Sequence, residues 1–256
     1  MQALRTIREG LQNGTCRDQL RPAYGRAVAH GEARLLKLLD AFQAHFGAGD
    51  DTPIILCSAA GRTELGGNHT DHQRGHVLTA SISLDTIACV HPTGNYIVRL
   101  QSEGQPAIEV DLHDLAPRKS EYGDATALVR GVAARLTERG FTLGGFDAYT
   151  TTEVLAGSGL SSSAAFEVLV GEIFNHLFCG GVVTPTENAQ MGQYAENVFY
   201  GKPSGLMDQM GCATGGVISI DFQDEAHPVV RQVKVDLDAA GYALCIIDSR
   251  ASHADL

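Results

Sequence analysis

Leucine and phenylalanine recur at helical spacing from Gly31 onward. Leu35, Leu36, Leu38, Leu39, Phe42 and Phe46 follow the 3.6-residue period, and Gly47 and Gly49 stop the run, which predicts a helix over 31–46. The apolar run 53–59 (PIILCSA) predicts a buried strand, and Ile82, Leu84, Ile87, Ala88 and Val90 place a second within 77–90. Two alternating stretches, 95–100 and 107–112, flank the turn residues Gly104-Gln105-Pro106 and predict a hairpin or meander. Helical spacing returns over 125–139, closed by Gly140. A strand follows over 146–154, then a Gly/Ser loop, a helix over 162–178 and another over 186–199 behind Pro185. Alternation marks strands at 216–222 and 229–235, and YALCII at 242–247 predicts one more buried strand. Residues 1–30 are weakly patterned and suit a helical extension.

Strands and helices mix without strict βα alternation, so the expected fold class is α+β rather than a doubly wound sheet. The expected organisation is an extension at 1–30, a sheet-and-helix domain at 31–215 and the incomplete start of a second domain at 216–256. The last buried-strand signal lies nine residues from the end, which suggests that a further half is missing. In that case the apolar faces of 217–222 and 242–247 lack partners and leave exposed strand edges.

Composition narrows the function classes. Of 256 residues, 44% are apolar, enough for a sizeable core, and only 19% are charged against roughly 25% on average. Thirty acidic residues against 19 Lys and Arg give a net charge of −11, which disfavours nucleic acid and anionic membranes as partners. No apolar run reaches the ~18 residues of a spanning helix, and the start lacks the apolar stretch of a secretory signal. Six scattered cysteines without a CxxC pair suit reduced thiols of a cytoplasmic protein.

Three stretches carry candidate chemistry. In VLAGSGLSSSA (154–164), Gly157 and Gly159 allow close backbone approach to an anion, and Ser161, Ser162 and Ser163 open a helix whose N-terminus favours negative charge. This suits a phosphate cradle or a merely flexible turn. It is neither a Walker loop, lacking Lys, nor a dinucleotide fingerprint, lacking the third glycine. In GRTELGGNHTDHQRGHVL (61–78), polar groups beside glycines exclude a core strand. His69, His72 and His76 would make a metal site only on a helix, which Gly75 opposes. Asn68 and Asp71 suit sugar hydroxyls, and a plain surface loop is the third option. In AENVFYGKPSGLMDQM (195–210), Asp208 among apolar neighbours is either a general base or a helix N-terminal acid.

Taken in order, the three stretches resemble the galactokinases of the GHMP small-molecule kinase superfamily, over roughly residues 31–256. The resemblance implies ATP and Mg²⁺ and a small sugar as substrate. It implies Arg62 as the arginine that stabilises charge at the transferring phosphoryl group and Asp208 as the base beside the C1 hydroxyl. Asn68, His69 and Asp71 match positions that hold galactose hydroxyls, and Gly205 matches a backbone contact to the sugar. Gly157, Ser158, Gly159, Leu160, Ser161, Ser162 and Ser163 match the loop around the ATP phosphates, and Ser163 with Glu196 the Mg²⁺ pair. The implied reaction is transfer of phosphate from ATP to the C1 hydroxyl of D-galactose.

Departures from the family pattern are specific. Asn68 stands where the family has Glu, His72 where it has Tyr, and Ala60 and Leu155 where it has Pro. The third glycine-rich motif and a downstream sugar-contacting tyrosine are absent from the chain. Asn68 keeps a related aldose or an N-acetylhexosamine in play as acceptor. The absent motif keeps a catalytically silent galactose and ATP sensor, or an inactive fragment, in play as well.

Overall fold

The computed structural model describes residues 1–224, 226–235, 237 and 239–247. Among these, eight strands share one mixed sheet: β1 (Gln2–Ala3), β2 (Pro53–Gly66), β3 (His76–Pro92), β4 (Ile97–Ser102), β5 (Ile108–Asp111), β6 (Phe146–Thr152), β7 (Val217–Asp221) and β8 (Val229–Val233). The strand order is β1-β2-β3-β6-β4-β5, with β7 on β3 and β8 on β7. The long strand β3 serves two neighbours on one side: His76–Ala80 pairs with β7 and Thr86–Pro92 with β6. Among the described strands, only β4 and β6 run parallel.

Among the described residues, seven α-helices accompany the sheet: α1 (Leu4–Asn13), α2 (Arg17–Tyr24), α3 (Val28–Phe46), α4 (Ala125–Glu138), α5 (Ser162–Phe178), α6 (Pro185–Tyr194) and α7 (Met207–Thr214). Period-two alternation in β3 decides their sides. Ile87 and Cys89 pack with Leu38, Leu39 and Phe42 of α3 and Leu4 of α1. Ala88 and Val90 face the larger core, with Val129 and Val132 of α4 and Leu169 and Ile173 of α5. The helix starts carry capping chemistry. Asp124 accepts from the Thr126 amide at the head of α4, and Thr184 and Glu187 form a capping box at the head of α6.

The helix expected over 162–178 and the hairpin strands stand where the pattern put them, and the α+β class holds. Three expectations are corrected. Residues 61–66 are strand, because β2 runs on to Gly66 across two register shifts that accommodate the polar residues. The apolar face of 217–222 is covered, since Ile218, Ile220 and Phe222 pack on Met207 and Met210 of α7. Residues 242–247 form no strand and are exposed, Ile247 at 88%, because no strand among the described residues pairs with them. Residues 248–256 lie outside the described set. Residues 1–30 supply β1, α1 and α2, and β7 carries the sheet past position 216. No helix among the described residues is long and apolar enough to cross a membrane. All six cysteines are free.

The loop ahead of α4 hangs on one buried cation. Arg130 is 2% exposed, donates to both oxygens of Glu121 at 2.8 and 2.7 Å and also bonds the Asp114 carbonyl. Removing one partner of such a pair strands the other. Arg130→Met is expected to lower unfolding free energy by about 3 kcal/mol in a urea titration. Arg135→Met, on the solvent side of the same helix, is expected to change it by less than about 0.5 kcal/mol. Equal shifts for the two variants would contradict the role given to Arg130.

Candidate active site

Arg62 lies in β2 and is 5% exposed, so each N–H that leaves water needs an acceptor. All three nitrogens have one: Nε and Nη2 donate to Asp208 Oδ1 at 2.9 and 2.6 Å, and Nη1 donates to the Gly159 carbonyl at 2.7 Å. The Arg62 amide donates to the Leu160 carbonyl at 3.1 Å, so β2 and the Gly/Ser loop are joined through backbone as well. A Cβ on Gly61 would sit 2.8 Å from that same carbonyl, which is why the approach requires glycine there.

Asp208 stands in the first turn of α7. Its other oxygen accepts from Ser161 Oγ at 2.7 Å. Ser161 has φ 62°, a left-handed conformation that is costly outside glycine. Its hydroxyl serves Asp208 instead of capping α5, so the first amides of α5 have no side-chain cap. This leaves free N–H groups at a helix N-terminus, with Gly157 and Gly159 at φ 72° and 76° just upstream, which fits an anion such as a phosphate.

The turn after β2 adds the other wall. Asn68 and His69 hold φ 54° and 49°, and a one-turn 3₁₀ helix follows at Thr70–Gln73. Asp71, 6% exposed, accepts from the Met207 amide at 3.1 Å and so caps α7 from a distant part of the chain. Gly205 is pressed against it: a Cβ there would lie 1.8 Å from Asp71 Oδ2.

These groups surround a cleft of about 130 Å³. Of the residues expected from sequence, His69, Asp71, Gly205, Asp208, Ser163 and Glu196 line it. Arg62 stands behind Asp208. Asn68 is exposed on the adjoining turn and is not part of the lining, nor are Gly157, Ser158, Gly159, Leu160, Ser161 and Ser162. His76 sits instead at the start of β3, 3.4 Å from Asp221, so the three histidines do not converge. Among the described residues, no group of three or more His, Cys, Asp or Glu is arranged to hold a metal.

Glu196 occupies a π-helical turn (Ala195–Tyr200) that continues α6. Ser163 Oγ donates to Glu196 Oε1 at 3.2 Å, and this hydroxyl-carboxylate pair is the hard-oxygen donor set that suits Mg²⁺. Behind it lie residues that the sequence did not single out. Gln209 Nε2 donates to Glu196 Oε2 at 2.9 Å and to Glu167 Oε2 at 3.0 Å. Burial, and then the nearby Glu196 charge, pushes the Glu167 carboxyl well above the usual carboxylate range, toward the neutral acid. A Glu within the apolar run FEVLVGEIF was the available signal. Lys202, His72 and Ser204 also line the cleft.

Two family patterns match the chain: "Galactokinase galactose-binding signature" over residues 40–92 and "GHMP kinases N terminal domain" over residues 127–216. The galactokinase of Streptomyces coelicolor is 35% identical over 229 residues, covering 88% of this chain and 57% of that protein. The galactokinase of Lacticaseibacillus paracasei is 40% identical over 162 residues, covering 61% of this chain and 41% of that protein. The crystal structure of Lactococcus lactis galactokinase complexed with galactose superposes with a TM-score of 0.69 at 30% identity, over 79% of this chain and 52% of that one. Methanococcus jannaschii mevalonate kinase, 17% identical with a TM-score of 0.58, shares the fold. The chain spans about half the length of the curated relatives it matches. With the galactose-binding signature on β2 and β3 and the GHMP domain behind it in one sheet, the chain belongs to the galactokinase family of GHMP kinases.

Proposed function

We propose that the protein is a sugar 1-kinase that converts ATP and D-galactose to galactose 1-phosphate and ADP by direct in-line transfer. The observation that carries this is Asp208, clamped by Arg62 and Ser161 at the edge of a cleft whose other wall is His69, Asp71 and Gly205. Phosphoryl transfer asks for positioning and neutralised charge more than for covalent chemistry. Asp208 orients the C1 hydroxyl and takes its proton. The C1 oxygen bonds to the γ-phosphorus as the bond to the β,γ-bridging oxygen breaks, and ADP leaves. Arg62 holds a fixed positive charge beside the reacting oxygens. Asp71, His69 and the Gly205 backbone bind sugar hydroxyls, with Asn68 on the adjoining turn. The loop Gly157–Ser163 and the N-terminus of α5 receive the phosphates. Ser163 and Glu196 would hold Mg²⁺, which would supply positive charge to neutralise the phosphates.

Residues 31–215 are taken as the sugar- and ATP-binding domain and 1–30 as an extension packed on it. Residues 216–256 are taken as the opening of a C-terminal domain whose first strand is bonded into this sheet. The partner is a small sugar rather than nucleic acid or membrane, and the free cysteines suit a cytoplasmic setting.

The purified chain, given Mg-ATP and galactose, is expected to release ADP and form a C1 phosphate ester identifiable by phosphorus NMR, with glucose as the control sugar. No galactose-dependent release would contradict the proposal. Asp208→Asn is expected to lower that rate by about 10²-fold or more, and a rate within a few-fold of wild type would remove Asp208 from its role. Gly205→Ala, by displacing Asp71, is expected to raise the KM for galactose by about tenfold while the chain stays folded. An unchanged KM would show that Gly205 and Asp71 do not position the sugar.

A further inference from the structure

The cleft is rich in carboxylates. Asp71, Glu196 and Asp208 line it, and the chain as a whole carries −11. A phosphate entering such a place needs a cation that is not already engaged. Arg62 meets that need only in part, because three of its five N–H donors already go to Asp208 and the Gly159 carbonyl and it stands behind Asp208 rather than in the lining. Lys202 is the Lys or Arg that does line the cleft, and among the described residues its ammonium has no carboxylate partner.

The backbone beneath Lys202 is fixed while its side chain is free. Its amide donates to the Glu196 carbonyl at 3.1 Å, so the lysine is tied to the turn that carries Glu196. Pro203 follows and restricts the chain. The Ser204 amide donates to Asn197 Oδ1 at 2.7 Å, and Gln193 Nε2 donates to the Ser204 carbonyl at 3.2 Å. The result is a held turn with an exposed, unpaired ammonium at the mouth of the cleft. An ammonium is a donor-only point charge. The sugar hydroxyls already have Asp71, His69 and the Gly205 backbone, which between them accept and donate.

We propose that Lys202 is a phosphate-contacting residue of this site. Its ammonium bonds the phosphoryl group as that group is transferred and then as it sits on C1 of the product. This rests on the kinase function proposed above, and it predicts selectivity for the phosphorylated over the unphosphorylated sugar that Lys202 confers. Lys202 is exposed, so substitution leaves the fold intact.

The test is calorimetric titration of the full chain with galactose and with galactose 1-phosphate, in wild type, Lys202→Met and Lys202→Arg. Lys202→Met is expected to weaken galactose 1-phosphate about tenfold and galactose by less than about twofold, with Lys202→Arg recovering most of the loss. A Lys202→Met variant that binds both ligands like wild type, or loses both equally, overturns the role. So does a wild type without affinity for the phosphorylated sugar. The kinase function fails on a different result: no galactose-dependent ADP release from a wild type that still prefers the phosphorylated sugar through Lys202.

Discussion

A guanidinium buried within a strand must find acceptors for its nitrogens or give up several kcal/mol of hydration, and the candidate site is built around how Arg62 does so. Its acceptors come from two other segments, the Gly/Ser loop through Gly159 and helix α7 through Asp208. Three pieces of chain distant in sequence are thereby held within bonding distance. The packing around the pair leaves no slack. A Cβ on Gly211 of α7 would lie 3.0 Å from both Arg62 Cβ and Thr79 Oγ1, and one on Gly61 would press on the loop. Ser161 accepts a left-handed backbone to complete the set of donors on Asp208.

A second constraint runs beside the first. Glu196 is 3% exposed and needs to stay directed toward Ser163. Gln209 does this by bonding Glu196 and Glu167 at once, and Glu167 tolerates the proximity by moving toward the neutral acid. Asp208 and Gln209 are adjacent in sequence, so one turn of α7 serves both the carboxylate that pairs with Arg62 and, through Gln209, the carboxylate of Glu196. That turn is positioned by Asp71 at its amide end and by Ile218 and Ile220 of β7 beneath it.

Much of this is legible in the sequence where apolar periodicity dominates. Helix α5 has a near-continuous apolar run after three serines, and its limits follow from that alone. The order of the three polar stretches is legible too, and the comparisons agree with the family it suggests. The extension of β2 through Arg62 and Glu64 is hidden, because strand residues that serve a site are polar and break alternation. Helix α7 is hidden because it is eight residues long, contains Gly211 and draws its start from Asp71, 136 positions away. The run YALCII was misleading for the opposite reason: apolar residues predict burial only when the fold supplies a partner, and here Tyr242 is 70% exposed. Gln209 and Lys202 carry no signal of their own, since their importance lies in what stands across from them.

The claim that the Arg62–Asp208 pair organises the site is tested most directly by a double-mutant cycle on stability, with Arg62→Met, Asp208→Asn and both together in urea unfolding. The account predicts coupling: the double variant loses less than the sum of the singles by at least about 1 kcal/mol, because each single leaves its partner unsatisfied. Strict additivity of the two substitutions would contradict it.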